Sequence, residues 1–218
     1  MTVTATILDH MGSDRAIADA ARVSFATTAD DYPDHRVAKL IARLARDGHF
    51  TPFTHALVSM IEEAPIFVAR QRLRHTVGFT YNETSRRYVD YTPTLWSPGP
   101  DGWRARPDAS IKQGSGGAHE RSVAIERAYQ CAARAAIEAY DAMIADGVAP
   151  EMARAVLPQG MTTRYVVTGS LAAWARAYGL RSAPDAQAEI RDLAACWDRA
   201  IRPLFPVAWA ALVDEGTA

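Results

Sequence analysis

Between Arg70 and Arg87 the chain reads "RQRLRHTVGFTYNETSRR", with five arginines, His75, Glu83 and several hydroxyls in one short run. The formal net charge is only -1, so no global basic field exists and any anion site must be local. Arginine's planar fork of N–H donors suits phosphate, and hydroxyls with backbone N–H groups complete such a site. A helix over residues 65–76 places Gln71, Arg74 and His75 on one face, because residues three and four apart are neighbours. Beyond it, a glycine-containing turn carries Asn82, Glu83, Ser85 and Arg87. An arginine-rich helix is commonly just a solvated face. Here the crowded hydroxyls, amide and carboxylate favour a ligand bearing phosphate.

Other chemistries find little support. Cys131 and Cys196 sit in alanine-rich helical text without a local cationic activator, so packing suits them better than nucleophilic catalysis. No CxxC occurs, and His49 and His55 are six apart, a spacing that does not align two imidazoles on a helix; no metal site is expected. "GSGG" lacks the strand and the motif of a phosphate cradle, so it reads as flexible loop. Only Lys39 and Lys112 are lysines among the 24 basic residues, a bias that genome composition alone can produce. Neither a signal pattern nor an apolar run near the ~20 residues of a membrane span appears, which sets a soluble cytoplasmic protein as the expectation, with no membrane and no nucleic-acid partner.

The elements that must position these residues follow from periodicity. Residues 2–10 alternate as a strand, and 12–25 form a helix capped by Ser13 or Asp14. Residues 34–49 repeat apolar positions at helical spacing and stop at Gly48. Residues 56–64 are a strand, and Pro65 opens the helix to residue 76. Residues 92–117 concentrate proline, glycine and serine and read as a long, mobile surface loop. Helices follow over 119–147 and 150–158, then a strand at 162–170, helices at 171–180 and 184–201, and an apolar tail at 205–214 that docks on the body. Three or four strands among many helices give an α+β fold with a mainly antiparallel sheet, within a single domain spanning residues 1–218.

The stretch "PIFVARQRLRHTVGFTYNETSRRY" resembles the signature of the flavin-dependent thymidylate synthases (the ThyX family), written RHR, seven residues, then Ser. "AARVSF" (20–25), "DGHFTPFTH" (47–55), "ARAVLP" (153–158) and "LRSAPDAQAEI" (180–190) resemble further blocks of that family in the same order. The resemblance implies a homotetramer with active sites shared between subunits, each holding FAD and a uridine nucleotide. It implies reductive C5-methylation of dUMP, with methylenetetrahydrofolate and NADPH as co-substrates. Carried over by position, Gln71, Arg74, Glu83, Thr84, Ser85, Arg86 and Arg87 surround the nucleotide. Arg154 is donated by a neighbouring subunit, and Arg181 is the catalytic residue that polarises the uracil ring. Ser24, Thr51, Arg74, His75, Thr76, Glu83 and Ser170 fall at flavin positions.

The chain departs from the pattern on the flavin side. The third motif residue is Thr76 rather than arginine, and eight residues separate it from Ser85. Thr54 stands where glutamate is usual, and Ser170 and Ala172 stand where an asparagine and an arginine are usual. The nucleotide side is complete. Methylation of UMP is therefore an alternative to dUMP, and a non-catalytic nucleotide- or RNA-binding protein or a structural relic of the family are others.

Overall fold

The computed structural model describes residues 3–110 and 113–214. Four strands, β1 (Thr4–Met11), β2 (Leu57–Pro65), β3 (Phe79–Glu83) and β4 (Thr162–Ser170), form one antiparallel sheet in the order β1-β2-β4-β3. The helices are α1 (Asp14–Arg22), α2 (Asp34–Arg46), α3 (Ile66–Arg72), α4 (Ser122–Ala145), α5 (Pro150–Ala153), α6 (Leu171–Arg181), α7 (Ala188–Ile201) and α8 (Pro206–Val213). The expected mixture of helices and antiparallel strands is observed.

Side chains alternate across a strand, and β2 shows it: Val58, Met60, Glu62 and Ala64 are buried while Leu57, Ser59, Ile61 and Glu63 are half-buried. The buried parity faces helices whose indoles fill the centre. Trp174 of α6 and Trp197 of α7 meet edge-on with centroids 5.6 Å apart. Trp209 of α8 joins the same core and donates to Asp198 at 2.7 Å. The tail docks as expected, because the Asp14 carboxylate accepts the Val207 and Ala208 N–H groups at the start of α8, at 3.0 and 2.8 Å. The opposite sheet face presents Thr80, Asn82, Arg164 and Val166, all exposed.

Three expectations change. Pro65 closes β2 and caps α3 instead of opening the helix, and α3 stops at Arg72, short of residue 76. The glycine-containing turn is confined to the residues around Gly78 (φ 78°); residues 79–83 are strand β3, paired with Gly169 to Tyr165 of β4. Phe79 and Tyr81 point inward there, while Thr80, Asn82 and Glu83 are exposed, an alternation hidden by the polar neighbours. The long excursion is packed rather than free-standing, as far as it is described (residues 111–112 lie outside). Trp96 meets Phe67 edge-on at 5.0 Å, and Trp103 donates to Glu126 of α4 at 2.7 Å.

Candidate active site

The first cluster forms where α3 ends. Val68, Ala69 and Arg72 are the buried residues of α3, which drives a guanidinium into the core. Arg72 and Glu62 are both fully buried, with Nε 3.2 Å from each carboxylate oxygen. Rings of Phe79, Trp174, Trp197 and Tyr81 surround the cation at 4.3, 4.7, 4.7 and 5.2 Å. Arg72 also donates to the Tyr81 hydroxyl at 2.5 Å, and that hydroxyl donates to the His75 carbonyl at 2.6 Å. Burial pushes the Tyr81 phenol up to about 12, so it stays a donor. The turn after α3 is thus fixed from inside.

That turn aims His75 at α6. Arg181 Nε donates to His75 Nε2 at 2.8 Å, and Arg181 Nη2 donates to the Gln71 carbonyl at 3.2 Å. Burial, and then the charges of Arg181, Arg72 and Arg176, lower His75 to about 4. The imidazole is therefore neutral at physiological pH and accepts through Nε2, which leaves the proton on Nδ1. Burial and Arg72 also lower Arg181 from its ordinary value, though a guanidinium remains a cation. Gln71 Nε2 donates to Gln187 at 2.5 Å. Gln71, His75 and Arg181 form one unit; Arg74 and Thr76 lie exposed beside it.

The second cluster is a cavity of about 430 Å³ lined by Glu83, Thr84, Ser85, Arg86, Arg154 and Thr163, among others. Thr163 of β4 donates to Glu83 at 2.6 Å, holding the carboxylate at the end of β3. Ser85 Oγ accepts the Arg87 N–H at 3.3 Å, a local turn. Arg86 is buried against Tyr91, donating to its carbonyl and stacking 4.3 Å from its ring. Arg87 pairs with the Glu151 carboxylate at 3.2 Å, and Arg154 donates to the Glu151 carbonyl at 3.2 Å. Arg154 and the Ser85 hydroxyl thus line one cavity, with the exposed Arg87 guanidinium joined to Arg154 through Glu151, an arrangement suited to a phosphate monoester.

The third cluster holds Ser24 and Thr51 in a separate cavity of about 600 Å³, with Phe25, Arg43, His49 and His55. Ser170 belongs to neither cavity. It caps α6, accepting the Ala173 N–H at 3.2 Å, beside Gly78. Within one chain the sequence-predicted residues therefore fall into three groups. The structure gathers Glu83 to Arg86 with Arg154, links Arg87 to Arg154 through Glu151, and joins Gln71 with His75 and Arg181, but does not merge the groups into one cavity. Neither cysteine lines either cavity. Among the described residues no group of three His, Cys, Asp or Glu could hold a metal ion. None of the helices described is long and apolar enough to cross a membrane.

Sequence reasoning passed over Arg72, Tyr81 and Arg176. Arg72 was detectable, since it falls four residues after Val68 on the apolar stripe of α3. Arg176 carries no sequence signal of its own; its place appears only when α6 packs on the turn.

Residues 6–207 match the model of the family described as "Thymidylate synthase complementing protein". A flavin-dependent thymidylate synthase of Thermus thermophilus is 37% identical over 211 residues, covering 96% of this chain and 75% of that protein. One from Streptomyces avermitilis is 33% identical, covering 98% and 92%. The crystal structure of the UMP/dUMP methylase PolB of Streptomyces cacaoi bound with 5-Br dUMP superposes with a TM-score of 0.86 at 29% identity, covering 96% of this chain and 94% of that one. With 5-Br UMP bound, the TM-score is 0.84 at 28% identity, covering 96% and 92%.

Proposed function

The chain belongs to the thymidylate synthase complementing protein family, and from that premise we propose that it methylates dUMP at C5 with FAD as cofactor. The overall reaction converts dUMP, methylenetetrahydrofolate, NADPH and a proton to dTMP, tetrahydrofolate and NADP⁺. The C5 hydrogen leaves as a proton, the folate's methylene becomes bonded to C5, and NADPH provides the hydride that reduces it to methyl. The single observation that carries this reading is the His75–Arg181 pair, a buried imidazole holding a half-buried guanidinium in a fixed orientation.

Uracil C5 must become nucleophilic, and the cost is negative charge on the ring oxygens. With Nε held by His75 and Nη2 by Gln71, Arg181 is pre-aimed, and its remaining N–H groups can stabilise charge developing at uracil O4. Preorganised donors of this kind need no reorientation during reaction, which is where their advantage over water lies. Arg87, Arg154 and Ser85 bind the phosphate at the rim of the Glu83 cavity. Glu83, steadied by Thr163, accepts a hydrogen bond from the nucleotide or flavin.

The residues present fit a flavin dinucleotide. Arg74 lies in the turn at 74–78 and Arg176 donates to the Val77 carbonyl within it, neither pairing with a carboxylate among the described residues, and such cations suit a diphosphate. Arg74, His75, Thr76 and Ser170 would hold it on this side, with Ser24 and Thr51 of another subunit on the other. Bound FAD would supply the redox chemistry that carries reducing equivalents from NADPH to the one-carbon unit.

Because the three groups are separate within one chain, the reading requires self-association, as a homotetramer. The Gln71–Arg181 unit of one subunit faces the Glu83–Arg154 cavity of the next. Val23 and Phe25, 75% and 80% exposed beside Ser24, are suited to burial in such contacts. UMP is a second reading, favoured by the likeness to a methylase whose structures hold both 5-bromo nucleotides.

The purified protein should be yellow, and it should turn over dUMP in the presence of methylenetetrahydrofolate and NADPH, with UMP as the comparison. Colourless protein that fails to bind added FAD, or turnover of dCMP alone, would sink the proposal.

A further inference from the structure

The turn lacks a cation at Thr76, and α6 lacks one at Ala172. Arg176 stands four residues, one helical turn, beyond Ala172 and therefore on the same face of α6. Its Nη2 donates to the Val77 carbonyl at 2.7 Å, so the guanidinium rests on the residue next to Thr76. The turn and the helix are held in close contact. Gly78 has φ 78°, and a Cβ there would come 2.9 Å from Ala173 Cβ and 3.3 Å from Ser170 Oγ. Arg176 is exposed and pairs with no carboxylate among the described residues. One carbonyl occupies one of its N–H groups, and the planar fork leaves others free for a second acceptor.

We propose that Arg176 supplies the phosphate-binding cation that the flavin-dependent thymidylate synthase motif would place at position 76, and that it binds the diphosphate of FAD. The inference rests on the flavin-dependent reading above. The charge has moved from the motif turn to the helix packed against it. In the reading above Arg87 and Arg154 serve the nucleotide's phosphate, so the anion left for the Arg74–Arg176 side is the cofactor's. Arg176 bonded to Val77 merely as a brace for the turn would need no charge. A diphosphate ligand would need it.

Titration of the apoprotein with FAD, riboflavin and dUMP, followed by flavin fluorescence and calorimetry, separates these roles. Arg176→Gln keeps a neutral donor toward Val77 and removes the charge. It should weaken FAD by about tenfold or more, the scale of a lost charge-assisted hydrogen bond. Riboflavin, which has no phosphate, and dUMP should bind as before. Adding Thr76→Arg to Arg176→Gln should restore FAD affinity, an outcome a brace would not give. Equal FAD affinity in Arg176→Gln and the natural chain overturns the proposal, as does a loss shared equally by riboflavin, or one confined to dUMP. If the natural chain itself binds no FAD, the flavin-dependent reading fails and takes this inference with it. Binding by the natural chain and the variant alike removes only the role of Arg176.

Discussion

Arg181 is useful because two of its nitrogens are already committed. His75 and the Gln71 carbonyl hold the guanidinium before any substrate arrives. Arg181→Ala should lower kcat by roughly 10²–10³, the usual cost of one preorganised charge-stabilising donor, with the oligomer intact in light scattering. Turnover near that of the natural chain would remove the ring-activating role. His75 adds a pH dependence of stability. Its folded value of about 4 lies below the ordinary 6.5, so between these values the unfolded chain binds more protons than the folded one. The contribution is fully present above pH 6.5 and is lost as pH falls towards 4. His75→Gln, which retains an acceptor, should flatten that part of the urea midpoint profile; an unchanged slope would contradict a buried neutral imidazole. At this scale the arginine-rich stretch was legible as a site, because residue types and the order of blocks carry chemistry directly. Arg176 was not, since its relation to Thr76 spans a hundred residues of chain and exists only through packing.

The elements explain why the turn holds its shape. β2 contributes Glu62 on its inward parity and α3 contributes Arg72 on its apolar stripe, joining strand to helix inside the core. Burying two charges is repaid only when both are present and well bonded. Arg72→Met alone should destabilise the fold by about 3–5 kcal/mol, because it strands the Glu62 carboxylate. Glu62→Leu combined with Arg72→Met should recover most of that loss in thermal or denaturant unfolding. Additive losses in the double variant would show that the pair itself stabilises the core. Strand and helix positions were largely readable from period and caps. The boundary at 65–83 was not, because Pro65 suits both a strand end and a helix start. The short alternation Phe79–Thr80–Tyr81 was masked by the polar run that follows it. The excursion at 92–117 looked like open loop by its turn residues, yet Trp96 and Trp103 anchor it on α3 and α4. Aromatic payload outweighed glycine and proline content there.

At the scale of the whole molecule, the proposed self-association bears on what the single chain leaves exposed. Phe25 and Phe50 are exposed at 80% and 64%, and one face of the sheet leaves Thr80, Asn82, Arg164 and Val166 exposed. A tetramer that brings the Arg181 unit to the Glu83 cavity accounts for both the apolar exposure and the separation of the site residues. Light scattering after size exclusion should give a mass of four chains, and Phe25→Glu should shift it towards smaller species with loss of bound flavin. A fully active monomer would be incompatible with a shared site. The complete reaction is tested most directly by labelling. Incubation of the flavin-loaded protein with dUMP, NADPH and methylenetetrahydrofolate deuterated at the methylene should yield dTMP whose new C5 methyl holds both deuterium atoms, read by mass spectrometry and NMR of the recovered nucleotide. Recovery of unmodified dUMP from protein that binds both FAD and nucleotide would contradict it.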